Sequence, residues 1–120
     1  MHALETSRLL TEEYSAKILL ATMGKPKSAA ELSENLGIPI AACYRKIKLL
    51  DKAGLIYCAE RRLTRAGKRV SVYKSNVRNA QIIFERGRIK ARLEMVDGTT
   101  EDYNYNLDGP IGAGSPLARA

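Results

Sequence analysis

The sequence predicts an α+β fold in which helices come first and antiparallel hairpins follow. Three observations predict it. Apolar residues recur at helical spacing through the first half of the chain and then switch to alternation. Gly24, Gly37 and Gly54 fall where successive helical runs end. Beyond Leu55, two pairs of alternating runs flank Gly67 and Gly87, the pattern of two hairpins.

Each element has its own signal. Residues 11–23 predict a helix: Thr11 as N-cap, Glu12 and Glu13 in the first turn, and Tyr14, Ile18, Leu19 and Ala21 as an apolar stripe. Gly24-Lys25-Pro26 stops it. The preceding residues add a short helix or arm anchored by Leu4, Leu9 and Leu10. Residues 28–36 open on Ser28 and Glu31, a capping box, and close at Gly37. Residues 39–53 start on Pro39, which suits the first helical position. Cys43, Ile47 and Leu50, with Leu49 beside them, form the inward stripe of that helix. Its other face carries Ala41, Tyr44, Arg45, Lys48 and Lys52. Residues 56–63 and 69–75 predict one hairpin, and 80–85 with 88–96 a second with one wet face. From Asp97 on, Gly, Ser, Pro, Asn and Asp dominate without a period, which predicts a flexible tail over 97–120.

The 120 residues make one small domain with a modest core. We divide the chain into a helical and hairpin unit at 1–78, a C-terminal hairpin at 79–96 that extends the domain or forms a dimer interface, and the tail. No apolar run is long enough to span a bilayer and no signal-peptide pattern opens the chain, so a cytoplasmic location is expected. Cys43 and Cys58 are too few for a disulfide scaffold and are expected to be reduced and buried. His2 is the lone histidine, so no metal site, cofactor site or nucleophilic triad can be assembled, and no enzyme is expected.

Charge is unevenly placed. The chain carries a net +7, but residues 44–92 alone hold fifteen Lys/Arg against three Asp/Glu. Such a surplus favours a polyanion partner, double-stranded DNA first. A membrane surface is the weaker match, because no helix offers a Trp/Phe/Leu face.

Helices 28–36 and 39–53, joined through Gly37, have the spacing of a helix-turn-helix unit, whose second helix enters the major groove N-terminus first. Ile40, Ala41 and Ala42 are small or apolar and permit close approach to bases. One turn on, Arg45 is placed to read a guanine edge, with Tyr44 and Lys48 as phosphate or base contacts. Arg61, Arg62, Arg65, Lys68 and Arg69 crowd one hairpin turn, suited to the minor groove or to phosphates.

Over residues 11–75 the chain resembles winged helix-turn-helix transcriptional regulators of the ArsR-like family. The resemblance rests on Ala30, Leu32, Leu36, Gly37, Ile38, Tyr44-Arg45, Ile47, Leu50 and Ala53-Gly54-Leu55-Ile56. It implies a three-helix core with a β-hairpin wing, a recognition helix at 39–52, a wing at 61–69, and a homodimer on a palindromic operator. The chain departs from that family in lacking its metal-binding Cys pair and its C-terminal dimerisation helix. The alternative is a winged-helix module that binds protein or RNA in a larger assembly. Its tail, with Glu101, Asp102, Tyr103, Tyr105 and Asp108, would then dock a protein partner, or fold back on the basic face as an inhibitor.

Overall fold

The computed structural model describes residues 1–107. Helices α1 (Ala3–Thr11), α2 (Glu13–Gly24), α3 (Ala29–Leu36) and α4 (Ile40–Lys52) come first, with a short strand β1 (Lys27–Ser28) between α2 and α3. Strands β2 (Ile56–Leu63), β3 (Arg69–Ser75), β4 (Val77–Glu85), β5 (Arg88–Met95) and β6 (Thr100–Asn106) follow. They form two antiparallel sheets, ordered β1-β3-β2 and β4-β5-β6. The expected α+β architecture is present: a helix-turn-helix core, a hairpin wing and an additional C-terminal sheet.

The helix boundaries follow from capping. Thr11 does not cap α2 as expected; it ends α1, where its hydroxyl donates to the Ser7 carbonyl at 2.6 Å. Glu12 takes the cap because its carboxylate reaches two free N–H groups, those of Tyr14 at 2.9 Å and Ser15 at 3.1 Å. The expected capping box of α3 is formed, Ser28 Oγ accepting from the Glu31 N–H and the Glu31 carboxylate from the Ser28 N–H. Gly37 leaves that helix at φ 68°, a left-handed conformation that favours glycine. Pro39 lies one residue earlier than expected, as the extended cap residue of α4.

One core joins helices and sheets. Ile18, Leu32, Cys43, Ile47, Leu50 and Leu55 pack with Val77, Leu93 and Met95 of the second sheet. Leu49 does not share the inward stripe of α4; it is 48% exposed.

Only Asn76 separates β3 from β4. Its N–H donates to the Leu55 carbonyl at 2.9 Å, its side-chain amide to the Gly54 carbonyl at 3.1 Å, and its carbonyl accepts from the Val96 N–H at 3.0 Å. The residue therefore ties the end of α4 to the second sheet. That sheet is hydrogen-bonded separately from the wing, so the C-terminal hairpin does not lengthen the wing's own sheet. α1 lies against β5 and β6.

The expected flexible tail needs correcting over its first part. Residues 100–106 form β6, paired with β5 from Arg88↔Asn106 to Glu94↔Thr100. Tyr103 packs half-buried on the core, and Asp102 pairs with Arg92 at 2.9 Å. The run from Glu101 to Tyr105 is thus a strand and not a free docking peptide. Residues 108–120, Asp108 included, lie outside the described residues.

Candidate nucleic-acid interface

Helix α4 presents a sharply divided surface. Cys43, Ile47 and Leu50 are buried, while Ile40, Ala41, Tyr44, Arg45 and Lys48 are exposed. The spacing explains it: Tyr44 and Lys48 stand one turn apart on one side, with Ala41 a turn before Arg45. Ala42 lies elsewhere than its neighbours. At 5% exposure it belongs to the core, next to Cys43. The presented tip is therefore Ile40 and Ala41. Lys46 turns the other way and pairs with Glu12 at 3.1 Å, which pins α4 to the start of α2.

The hairpin β2–β3 projects the cations of the wing. Arg61 stands opposite Ser71, Arg62 opposite Val70 and Leu63 opposite Arg69. Its turn is closed by the Thr64 N–H on the Lys68 carbonyl at 2.7 Å and by Lys68 N–H on Thr64 Oγ1 at 3.2 Å. Gly67 adopts φ 78° there. Arg61, Arg62, Arg65, Lys68 and Arg69 are all exposed.

Their pairing separates them. Arg62 sits 3.2 Å from Glu60 and 3.9 Å from Glu31, so carboxylates of β2 and α3 already face it. Among the described residues, no carboxylate lies within 4 Å of Arg45, Lys48, Arg61, Arg65, Lys68 or Arg69. All six are exposed.

A cleft of about 250 Å³ joins helix and wing, lined by Ser28, Tyr44, Arg61, Arg69, Ser71 and Tyr73 among others. It brings Tyr44 of α4 together with two wing arginines. Sequence reasoning missed Ser71, Tyr73 and Ser28 as parts of this surface. The alternation of β3 places Ser71 and Tyr73 on one face, but only the cleft they share with Ala29 and Ala30 shows that this face looks toward the start of α3. Arg65 and Lys68, at the turn, are not part of the cleft lining.

The two cysteines differ. Cys43 is fully buried, and burial pushes its thiol pKa up. Cys58 is exposed, against expectation. Beyond Ile56, β2 runs out past the helices, and the ladder shifts register between Cys58 and Glu60. Among the described residues, no group of three or more His, Cys, Asp or Glu is arranged to hold a metal ion. No described helix is long and apolar enough to cross a membrane.

Residues 10–57 match a family model described as "Helix-turn-helix domain". The match runs from the end of α1 through α2, α3 and α4 to the start of β2, and stops before the basic turn of the wing. No curated protein matches the chain in sequence. Among solved structures, a ROK-family transcriptional regulator, a homolog of the E. coli MLC protein, is similar at 17% identity and a TM-score of 0.43. That similarity covers 76% of this chain and 24% of the regulator.

Proposed function

We propose that this chain is a DNA-binding transcriptional regulator of the winged helix-turn-helix type, ArsR-like in its helical pattern. Its residues 39–52 act as recognition helix in the major groove, and its basic wing at 61–69 lies on the minor groove or on phosphates. The observation that carries this reading is the cleft that brings Tyr44 of α4 together with Arg61 and Arg69 of the wing, with exposed Arg45 and Lys48 on the same helix and Arg65 and Lys68 on the same hairpin lacking any carboxylate within 4 Å among the described residues. The match of residues 10–57 to a helix-turn-helix domain supports reading α3 and α4 as that unit.

The roles divide by position. Ile40 and Ala41 admit close approach to base edges, and Arg45 reads a base, guanine by geometry. Tyr44, Lys48, Arg61 and Arg69 hold phosphates around the cleft, while Arg65 and Lys68 reach outward from the turn. Arg62 serves partly to brace the wing against α3, through Glu31. Two copies bind a palindromic site, with half-sites about 10 bp apart or a multiple of that. The location is cytoplasmic, and no cofactor or catalytic step is involved.

Selection of bound duplexes from a random pool tests the reading. We expect enrichment of a symmetric motif and binding that weakens steeply with salt. Recovery of unenriched sequences, or binding insensitive to salt, would overturn it.

A further inference from the structure

In the second sheet β4 has one neighbour and one open edge. The ladder decides which of its backbone groups face that edge. Met95 donates its N–H to the Thr99 carbonyl at 2.8 Å, and Leu107 donates to the Gly87 carbonyl at 2.8 Å. Odd-numbered residues along β5 therefore bond toward β6, and even-numbered ones toward β4. Arg92 pairs with Gln81 and Lys90 with Ile83, so the odd-numbered residues of β4 are the ones committed to β5. Ala80, Ile82 and Phe84 turn their N–H and C=O outward, and no backbone hydrogen bond outside the ladder reaches them among the described residues.

This edge is unguarded. From Asn79 to Phe84 it carries no charge, proline or glycine. The opposite edge, β6, carries Glu101 and Asp102, and β2 of the wing carries Glu60, Arg61 and Arg62, side chains that discourage a further strand. Phe84 is 78% exposed. It shares a face of the sheet with Ala80 and Ile82, and those two line an apolar groove with Leu20 and Met23 of α2.

We propose that β4 is the edge through which two copies of the chain join, antiparallel, into one six-stranded sheet ordered β6-β5-β4-β4-β5-β6. The strand is complementary to itself. A two-fold axis at Ile82 sets Ala80 of each copy opposite Phe84 of the other, and Ile82 opposite Ile82. All three outward residues then find hydrogen-bonding partners, and the largest side chain meets the smallest. An axis at Gln81 would set Phe84 against Arg78, where the ladder shifts register. With the axis at Ile82, Phe84 of one copy arrives beside the groove of the other and leaves water there. A regulator on a palindromic site needs two joined copies, but the pairing of β4 does not depend on DNA.

Sedimentation equilibrium of the full chain without DNA tests the pairing. We expect a reversible dimer that persists at high salt, because no charge lies in the paired stretch. Ala80→Pro removes one outward N–H and leaves the ladder to β5 intact, a change that an edge strand tolerates. It should weaken the dimer by about tenfold or more, while the far-ultraviolet circular dichroism stays that of the parent. Ile82→Lys, which places like charges on the axis, should weaken it as well. In a Cys58→Ser background, Ile82→Cys should form a disulfide between copies on oxidation, since residues on the axis lie about 5.5 Å apart. Asn79→Cys, far from the axis, should not. A monomeric parent, a dimer that Ala80→Pro leaves unchanged, or a disulfide through Asn79→Cys in place of Ile82→Cys overturns the proposal.

Discussion

At Glu12 three demands meet. The residue closes α1 through its N–H on the Arg8 carbonyl, caps α2 through its carboxylate, and holds Lys46 of α4 at 3.1 Å. The Tyr14 N–H foremost, with Lys46 and the Ser15 N–H, pulls the carboxyl pKa down to about 2. A depressed carboxyl stabilises the fold above its ordinary value of 4.5, and that stabilisation fades as pH falls toward about 2. Glu12→Gln should therefore be less stable than the parent at neutral pH and converge with it near pH 2, as urea midpoints across that window will show. The group is partly exposed, so the gap at neutral pH is modest. The cysteines give a second test. Iodoacetamide should label Cys58 alone in the native chain and both thiols after denaturation, read by mass; native labelling of Cys43 would contradict its burial. The cations give a third. Arg45→Ala should cost about 1–3 kcal/mol on the preferred duplex and relax one base position. Arg65→Ala should weaken all duplexes alike and lower the log–log salt slope by about 0.9. Equal behaviour of the two variants would remove the division of labour between helix and wing.

Among the elements, those with a strong apolar period or a specific cap are legible in the amino-acid sequence. β2 and β3 run over the residues the alternation marks, and α3 opens on its Ser28–Glu31 box. Gly37 shows why the helix-turn-helix is readable at all. At φ 68°, with nothing within 4 Å of an added Cβ, it is glycine for its backbone and not for space. Gly37→Ala should thus cost about 1–2 kcal/mol from the backbone alone, measured by thermal unfolding, and Asn should recover part of it. What the sequence hides has equally local reasons. β6 reads as tail because only Tyr103 turns inward, so no apolar period marks it. The boundary between α1 and α2 is hidden because Thr11 is an equally good cap by type, and only geometry shows its hydroxyl spent on Ser7. In the candidate interface, the exposed cations and the α4 tip are legible. Ala42 is not, since a small residue on a helix boundary fits either side and packing alone puts it in the core.

For the molecule as a whole, the question is whether the second sheet is an appendage or part of one folding unit. Its strands meet the helical core in three ways: Val77, Leu93 and Met95 enter the common core, Asn76 clasps the end of α4, and α1 lies against β5 and β6. These attachments predict a single cooperative unfolding transition for the entire described chain. They also change what deletion of the acidic C-terminal segment means. Removing residues 97–120 takes away β6, which pairs with β5 along its length, buries part of Tyr103 and supports α1. The remaining β4–β5 hairpin would face α1 as two strands, a number that is marginal on its own. We expect this truncation to lose roughly 2 kcal/mol or more of stability, from apolar burial at Tyr103 and around β5. Truncation after residue 107 keeps every described element and is the control. Calorimetry on the two truncations decides it. If both melt like the parent, β6 contributes nothing to the common core and the sheet is an appendage. If only the shorter one fails, any gain or loss in its DNA affinity reflects a damaged fold rather than the release of an inhibitory tail.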